Sequence, residues 1–231
     1  MKTADLIIVW PTNCEYPLFR SFIRLNRSKF ARVIIAFTEV PHGDDFRQFV
    51  MDSMKEDSID FLSQPATDPG DWRNNAVNRA LSFSDAEWVW FMEQDFLILE
   101  DSFWHWIDQL MALDDVIGVK DGERLHPCCL LIRRDVLEKT KKDFGIIPDK
   151  LDHFGMIQQE LESMGAKIGT MDKSLYHHMA GLSHNYTLAH QGQEITYKLD
   201  EFRRYLQQCL TIQNVQLDPR FVKVAKGIFY N

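Results

Sequence analysis

Long apolar runs are missing from this sequence. No stretch approaches the roughly 18 to 20 uninterrupted apolar residues of a membrane-spanning helix, and Met1 is followed by a lysine but by no apolar core with a small-residue cleavage site. A cytoplasmic protein is the expectation. Excess positive charge is missing too. Twenty-six Lys and Arg stand against 34 Asp and Glu, a formal charge of -8, so bulk charge gives no support to a nucleic-acid-binding protein and only a local basic groove stays open. Cysteine is sparse: Cys14, Cys128, Cys129 and Cys209 have no CxxC or Cys/His finger spacing. The adjacent pair lies in an apolar run, and all four read as reduced core thiols. Repeats and low-complexity linkers are also absent. What remains is 231 residues with 45% hydrophobic content, enough for a core and against disorder as the main state.

The apolar residues are arranged in short blocks. Residues 5–10 (DLIIVW) and 32–38 (RVIIAFT) are nearly continuous apolar runs, expected as strands buried on both faces. Between them, Leu18, Phe19, Phe22, Ile23 and Leu25 recur at helical spacing over 16–26, which gives a strand–helix–strand unit. A polar helix over 44–55, a short strand over 59–62, a turn-rich PATDPG loop and a helix over 71–83 with Ala76, Ala80, Leu81 and Phe83 available to pack lead to a buried strand at 88–92 (WVWFM). Strand and helix then stop alternating: 116–120 and 126–132 are two strand-like runs joined by a glycine-containing turn, so the sheet is expected to be mixed. A helix over 151–164 carries Leu151, Phe154, Ile157, Leu161 and Met164 on one face and ends at Gly165. A strand at 167–170, a His-rich loop over 177–190 and a final helix over 194–210 complete the chain.

Directly after WVWFM comes Glu93-Gln94-Asp95. Two carboxylates therefore leave the carboxyl end of a buried strand, the edge of an α/β sheet where ligands bind. Like charges there call for a cation, and carboxylate oxygens suit hard divalent ions, which can bridge the phosphates of a nucleotide and offset charge on a leaving diphosphate. A plain turn or cap role for the same acids stays open at this point.

The chain resembles the nucleotide-sugar glycosyltransferases of the GT-A fold, especially the family-2-like group. The carriers are WPTN after the first strand, FTEV ending the second, GDWRNNAVNRAL, WFMEQD, LLIRRDVLEK, ESMGAKIG and HHMAGLS, in that order over roughly residues 5–184. The resemblance implies a Rossmann-like, mixed but mainly parallel sheet flanked by helices in a single domain. Residues 1–99 would be its nucleotide-sugar-binding half, 100–193 its acceptor and metal half, and 194–231 a C-terminal helix and tail. It further implies that Pro11, Thr12 and Asn13 hold base and ribose, that Glu39 bonds the ribose, and that Arg73, Asn74 and Gln94 lie against the nucleotide. The family's Asp-x-Asp metal motif falls on Glu93 and Asp95, with Glu replacing the first Asp. A metal-shell histidine falls on His177, with His178 second, and strand alternation allows one of the two to face the site. The implied ion is Mn2+ or Mg2+, an imidazole ligand favouring manganese. The family's Glu-Asp pair, whose Asp is the base in inverting transfer, would fall on His153 and Phe154 and is absent in register. Asp152 and His153 stand beside it as candidate bases, and a helix N-cap role for Asp152 is the alternative.

The expected activity is thus transfer of a sugar from a nucleoside-diphosphate sugar to a hydroxyl acceptor: a saccharide, a protein or a modified nucleobase. Two alternatives remain. A sugar-phosphate nucleotidyltransferase would usually carry a Gly-rich basic loop after its first strand, and WPTNCEYP contains no glycine. A non-catalytic nucleotide- or partner-binding protein would have no need of the carboxylates and histidines.

Overall fold

The structure is a computed structural model that describes residues 4–10, 23, 26–38, 52, 55–64, 72–93, 96–98, 101–147 and 154–178. Four strands open the described chain: β1 (Ala4–Trp10), β2 (Arg32–Thr38), β3 (Asp60–Gln64) and, after helix α1 (Trp72–Leu81), β4 (Trp88–Met92). The expected strands at 32–38 and 88–92 coincide with β2 and β4, and the third lies one to two residues further on than 59–62. Of the helices expected over 16–26 and 44–55, Ile23, Asn26, Asp52 and Lys55 are described, and all four are helical. β5 (Phe96–Ile98) and α2 (Ser102–Leu113) precede a hairpin of β6 (Val116–Asp121) and β7 (Arg124–Arg133). The chain then forms α3 (Arg134–Leu137), α4 (Gly155–Ser163), β8 (Ile168–Thr170) and β9 (Tyr176–His178).

Seven strands form one sheet in the order β3-β2-β1-β4-β7-β6-β8. β1 pairs in parallel with both β2 and β4, β2 with β3, and β6 with β8, whereas β7 runs antiparallel to its neighbours β4 and β6. One reversed strand in an otherwise parallel sheet follows from the hairpin turn at Gly122, whose φ of 64° is left-handed and natural for glycine. The chain steps outward from β1 to β3 and then returns to lay β4 on the other side of β1. A topological switch point therefore lies between β1 and β4, at the carboxyl edge of the parallel strands.

Both faces of the sheet are covered, which is why its central strands read as unbroken apolar runs. Neighbouring residues on β4 divide between the two faces. Phe91 joins Phe144 and Phe154, with ring centroids 5.1 and 5.4 Å away, and lies in a cluster with Ala76, Val77 and Ala80 of α1 and Ile157 and Leu161 of α4. Trp90 meets Phe30 at 5.4 Å, Trp104 at 5.6 Å and Phe103 at 6.0 Å, the last two from α2. Helix α2 was not foreseen from the sequence. It buries Phe103, Trp104 and Ile107 in the core.

Two packing expectations are corrected. Phe83 and Met164, expected against the core, are 47% and 42% exposed because each lies beyond the last turn of its helix. Phe154, expected within the 151–164 helix, has a φ of 69° and sits before α4 as its N-cap, its buried ring compensating for the left-handed backbone. Gly165 ends α4 with a φ of 70°, as expected. No helix among the described residues is long and apolar enough to cross a membrane.

Candidate functional site

β4 is buried along its whole length and ends at the edge beside the switch point. Glu93 is the first polar residue past it. Its backbone N–H donates to the Cys128 carbonyl at 3.0 Å, carrying the β4–β7 ladder one step beyond Met92↔Cys129, and its carbonyl accepts from the Phe96 N–H at 3.3 Å. The chain therefore turns immediately and enters β5. β5 pairs with β9 in the register Phe96↔His178, and this places the last described residue of the chain next to the first acid after β4. His178 Nε2 lies 3.3 Å from Glu93 Oε2, with side-chain exposures of 16% for the histidine and 28% for the glutamate.

The third wall comes from β7. Its register against β6 jumps from Gly118↔Leu130 to Val119↔His126, so residues 127–129 have no partner on β6. Pro127 has no N–H to give a ladder, and bulges are where a strand accommodates proline. The bulge brings His126 to His178, with ring centroids 4.8 Å apart, and the Cys128 N–H donates back to His126 Nδ1 at 3.1 Å. One ligand-type atom from each of His126, Cys128 and His178 lies within 4.8 Å of the others. Burial, and then the neighbouring His178, hold the His126 imidazole below its ordinary value, although Glu93 pulls the other way. Cys129 faces a different environment: it accepts the Trp90 Nε1–H at 3.0 Å, and burial pushes its thiol up.

Of the residues singled out in the sequence, the structure brings together Glu93 and His178. The backbone of His177 lies in β9, and its side chain is outside the described residues, as are Gln94 and Asp95. Pro11, Thr12, Asn13 and Glu39 are also outside them, although the strands they follow, β1 and β2, end on the same edge as β4. Asp152 and His153 are not among the described residues, nor are the loop and helix expected beyond 178. Arg73 is described only in its backbone, within α1. The described contacts of Asn74 are internal: its Oδ1 accepts from Asn78 Nδ2 at 3.0 Å and from the Phe144 N–H at 3.1 Å. Arg133 pairs with Asp115 at 2.9 Å and with Asp135 at 2.6 Å, and Arg134 holds the Ala86 carbonyl at 2.6 Å, which accounts for both as structural. Sequence reasoning read Cys128 as a core thiol and His126 only as the start of a strand-like run. Their two-residue spacing on one strand, beside an acid that ends another, was the available signal.

No family model and no curated protein matches the chain. Solved structures do match in fold. A mannosyltransferase from Pyrobaculum calidifontis, solved in complex with GDP-Man and Mn2+, is 14% identical, with 98% of this chain and 69% of that one covered at a TM-score of 0.53. Glucosyl-3-phosphoglycerate synthase from Mycobacterium tuberculosis, in complex with Mn2+, UDP and phosphoglyceric acid, is 13% identical over 94% of this chain and 80% of that one, with a TM-score of 0.51. S. aureus TarS is 14% identical over 91% of this chain and 44% of that one, at 0.50. The mixed, mainly parallel sheet flanked by helices is the GT-A, Rossmann-like fold of nucleotide-sugar transferases.

Proposed function

We propose that the chain is a metal-dependent glycosyltransferase that moves a sugar from a nucleoside-diphosphate sugar to a hydroxyl acceptor. The observation that carries this reading is the meeting of Glu93 and His178 at 3.3 Å on the carboxyl edge of β4. This is the edge at which a fold of this class receives its ligand. A carboxylate oxygen and an imidazole nitrogen converging in a partly buried pocket are a donor set that fits a divalent cation, and two structures of the same fold are described with Mn2+.

Glu93 and His178, with Asp95 two residues on, would hold the ion, and His177 is the other candidate from β9. A bound divalent ion supplies positive charge against the diphosphate as the bond to the sugar breaks. The chain's own groups do the rest. Arg73 adds a guanidinium to the diphosphate. Pro11, Thr12, Asn13 and Glu39 hold base and ribose, with Asn74 and Gln94 along the nucleotide. Asp152 or His153 takes the acceptor hydroxyl proton in an inverting transfer. Holding donor and acceptor in register supplies much of the rate.

Substitution of Asp95 by Ala tests the assignment. Donor hydrolysis and transfer should fall about 100- to 1,000-fold, the loss typical when one electrostatic partner of the transition state is removed. Unchanged turnover in Asp95→Ala would contradict the assignment.

A further inference from the structure

We infer that His126, Cys128 and His178, with Glu93, form a site for a thiophilic divalent ion of the zinc class, so that sulfur and imidazole, and not oxygen alone, select the ion at the β4 edge. The inference rests on the reading of Glu93 and His178 as metal ligands, and it does not depend on any donor being bound.

Three separate parts of the fold supply the donors. The β7 bulge presents His126 and Cys128, β9 presents His178, and the turn after β4 presents Glu93. Among the described residues, His126, Cys128 and His178 are the one trio of His, Cys, Asp or Glu that gathers its ligand atoms within 4.8 Å. The 3.3 Å between His178 Nε2 and Glu93 Oε2 is close to the separation of about 3.4 Å expected of two donors sharing one tetrahedral ion at bond lengths near 2.1 Å. The His126, Cys128 and His178 ligand atoms, within 4.8 Å of one another, need to close by roughly an ångström to reach the same geometry. His126 Nδ1 holds the Cys128 N–H at 3.1 Å, and ligation through Nδ1 exchanges that single neutral bond for the ion.

Charge and softness point the same way. A thiolate and a carboxylate neutralise a divalent cation, and neutral imidazoles add ligands without adding charge. Cys128 is fully buried, a setting in which a thiolate needs a cation beside it. Thiolate selects zinc-like ions, whereas Mg2+ and Mn2+ are poorly served by sulfur. Cys129 is the internal comparison. It is equally buried, yet its hydrogen-bond partner is an indole N–H.

The test is titration of the full chain with Co2+ followed by absorption. Cobalt bound to a thiolate gives a near-ultraviolet charge-transfer band, which reports the sulfur ligand directly and needs no turnover. Wild type and Cys129→Ser should develop the band at one equivalent, and Cys128→Ser should lose it. Zn2+ should abolish it, while Mn2+ in roughly 100-fold excess should not. His126→Gln should weaken Co2+ binding at least ~10- to 100-fold, the loss that even partners behind a ligand cause. Circular dichroism of the metal-free variants separates ligand loss from misfolding, and the wild-type result stands without them. No band in wild type, or a band that persists in Cys128→Ser, overturns the inference. Calorimetry with nucleoside diphosphates keeps the two readings apart. Mn2+-dependent nucleotide binding with no cobalt band sinks the zinc-class site alone, and a Cys128-dependent band with no nucleotide binding sinks the transferase reading alone.

Discussion

Asp5, at the start of β1, is fully buried and survives there because its Oδ2 accepts three donors: the Ser84 hydroxyl at 2.8 Å and the backbone N–H groups of Asp85 and Ala86 at 3.2 Å each. Arg134 stands behind them, donating to the Ser84 oxygen at 2.5 Å and to the Ala86 carbonyl at 2.6 Å. Asp5→Ala strands those three donors, and the expected cost is about 3 kcal/mol in urea unfolding. Asp5→Asn, which keeps one acceptor oxygen, should lose less. The same dependence on distant partners decides which site residues the sequence reveals. Glu93 is legible because an acid just past an apolar strand is anomalous in itself. Cys128 is not, since in the run LHPCCLLI it looks like a core thiol, and only the pairing of β9 with β5, Phe96↔His178, brings the second imidazole, that of His178, near it.

Helix α4 is latched to the β6–β7 hairpin by one buried side chain. Gln158 Oε1 accepts the Leu125 N–H at 2.8 Å, and its Nε2 donates to the Glu123 carbonyl at 3.0 Å. Gln158→Ala leaves the buried Leu125 N–H without that partner and releases the part-buried Glu123 carbonyl, and should cost about 1–3 kcal/mol in chemical denaturation. Because Leu125 adjoins His126, the same variant should loosen the site, whereas Gln158→Glu retains the acceptor half and should fall between. At the other end of α4, Gly165→Ala forces a side chain into the left-handed region at φ 70° and should cost about 1 kcal/mol. Elements with a single strong period were readable from the sequence: β2 and β4 as apolar runs, and α1 and α4 as amphipathic helices, α1 with one or two residues of error at its ends and α4 beginning four residues later than expected. Helix α2 was hidden by its aromatics. Its 102–113 sequence, SFWHWIDQLMAL, buries Phe103, Trp104 and Ile107 against Trp90 and Phe30, partners that no local pattern announces. The bulge in β7 was equally invisible, although Pro127 inside a strand is its physical cause.

Across the whole molecule, an otherwise parallel sheet with one reversed strand sets the open ends of β1, β2, β3 and β4 on one edge, and β7 starts at that same edge and runs back from it. The net charge of -8 makes a polyanionic partner unfavourable without a counter-ion and gives a divalent cation a favourable field. A cation that binds only the folded chain adds stability by mass action, about 2.7 kcal/mol at 100 times its dissociation constant. Chelation of a metal-loaded sample should therefore lower the unfolding midpoint, and Glu93→Ala should remove that sensitivity.

Calorimetric titration of the wild-type chain with UDP, GDP, ADP, CDP and dTDP, each with and without divalent ion and repeated on Glu93→Ala, tests the transferase reading most directly. The expected result is that one nucleotide binds, only when the ion is present, with affinity at least ~10-fold weaker in Glu93→Ala. Failure of every nucleotide to bind, or equal binding without the ion and without the Glu93 carboxylate, would contradict it.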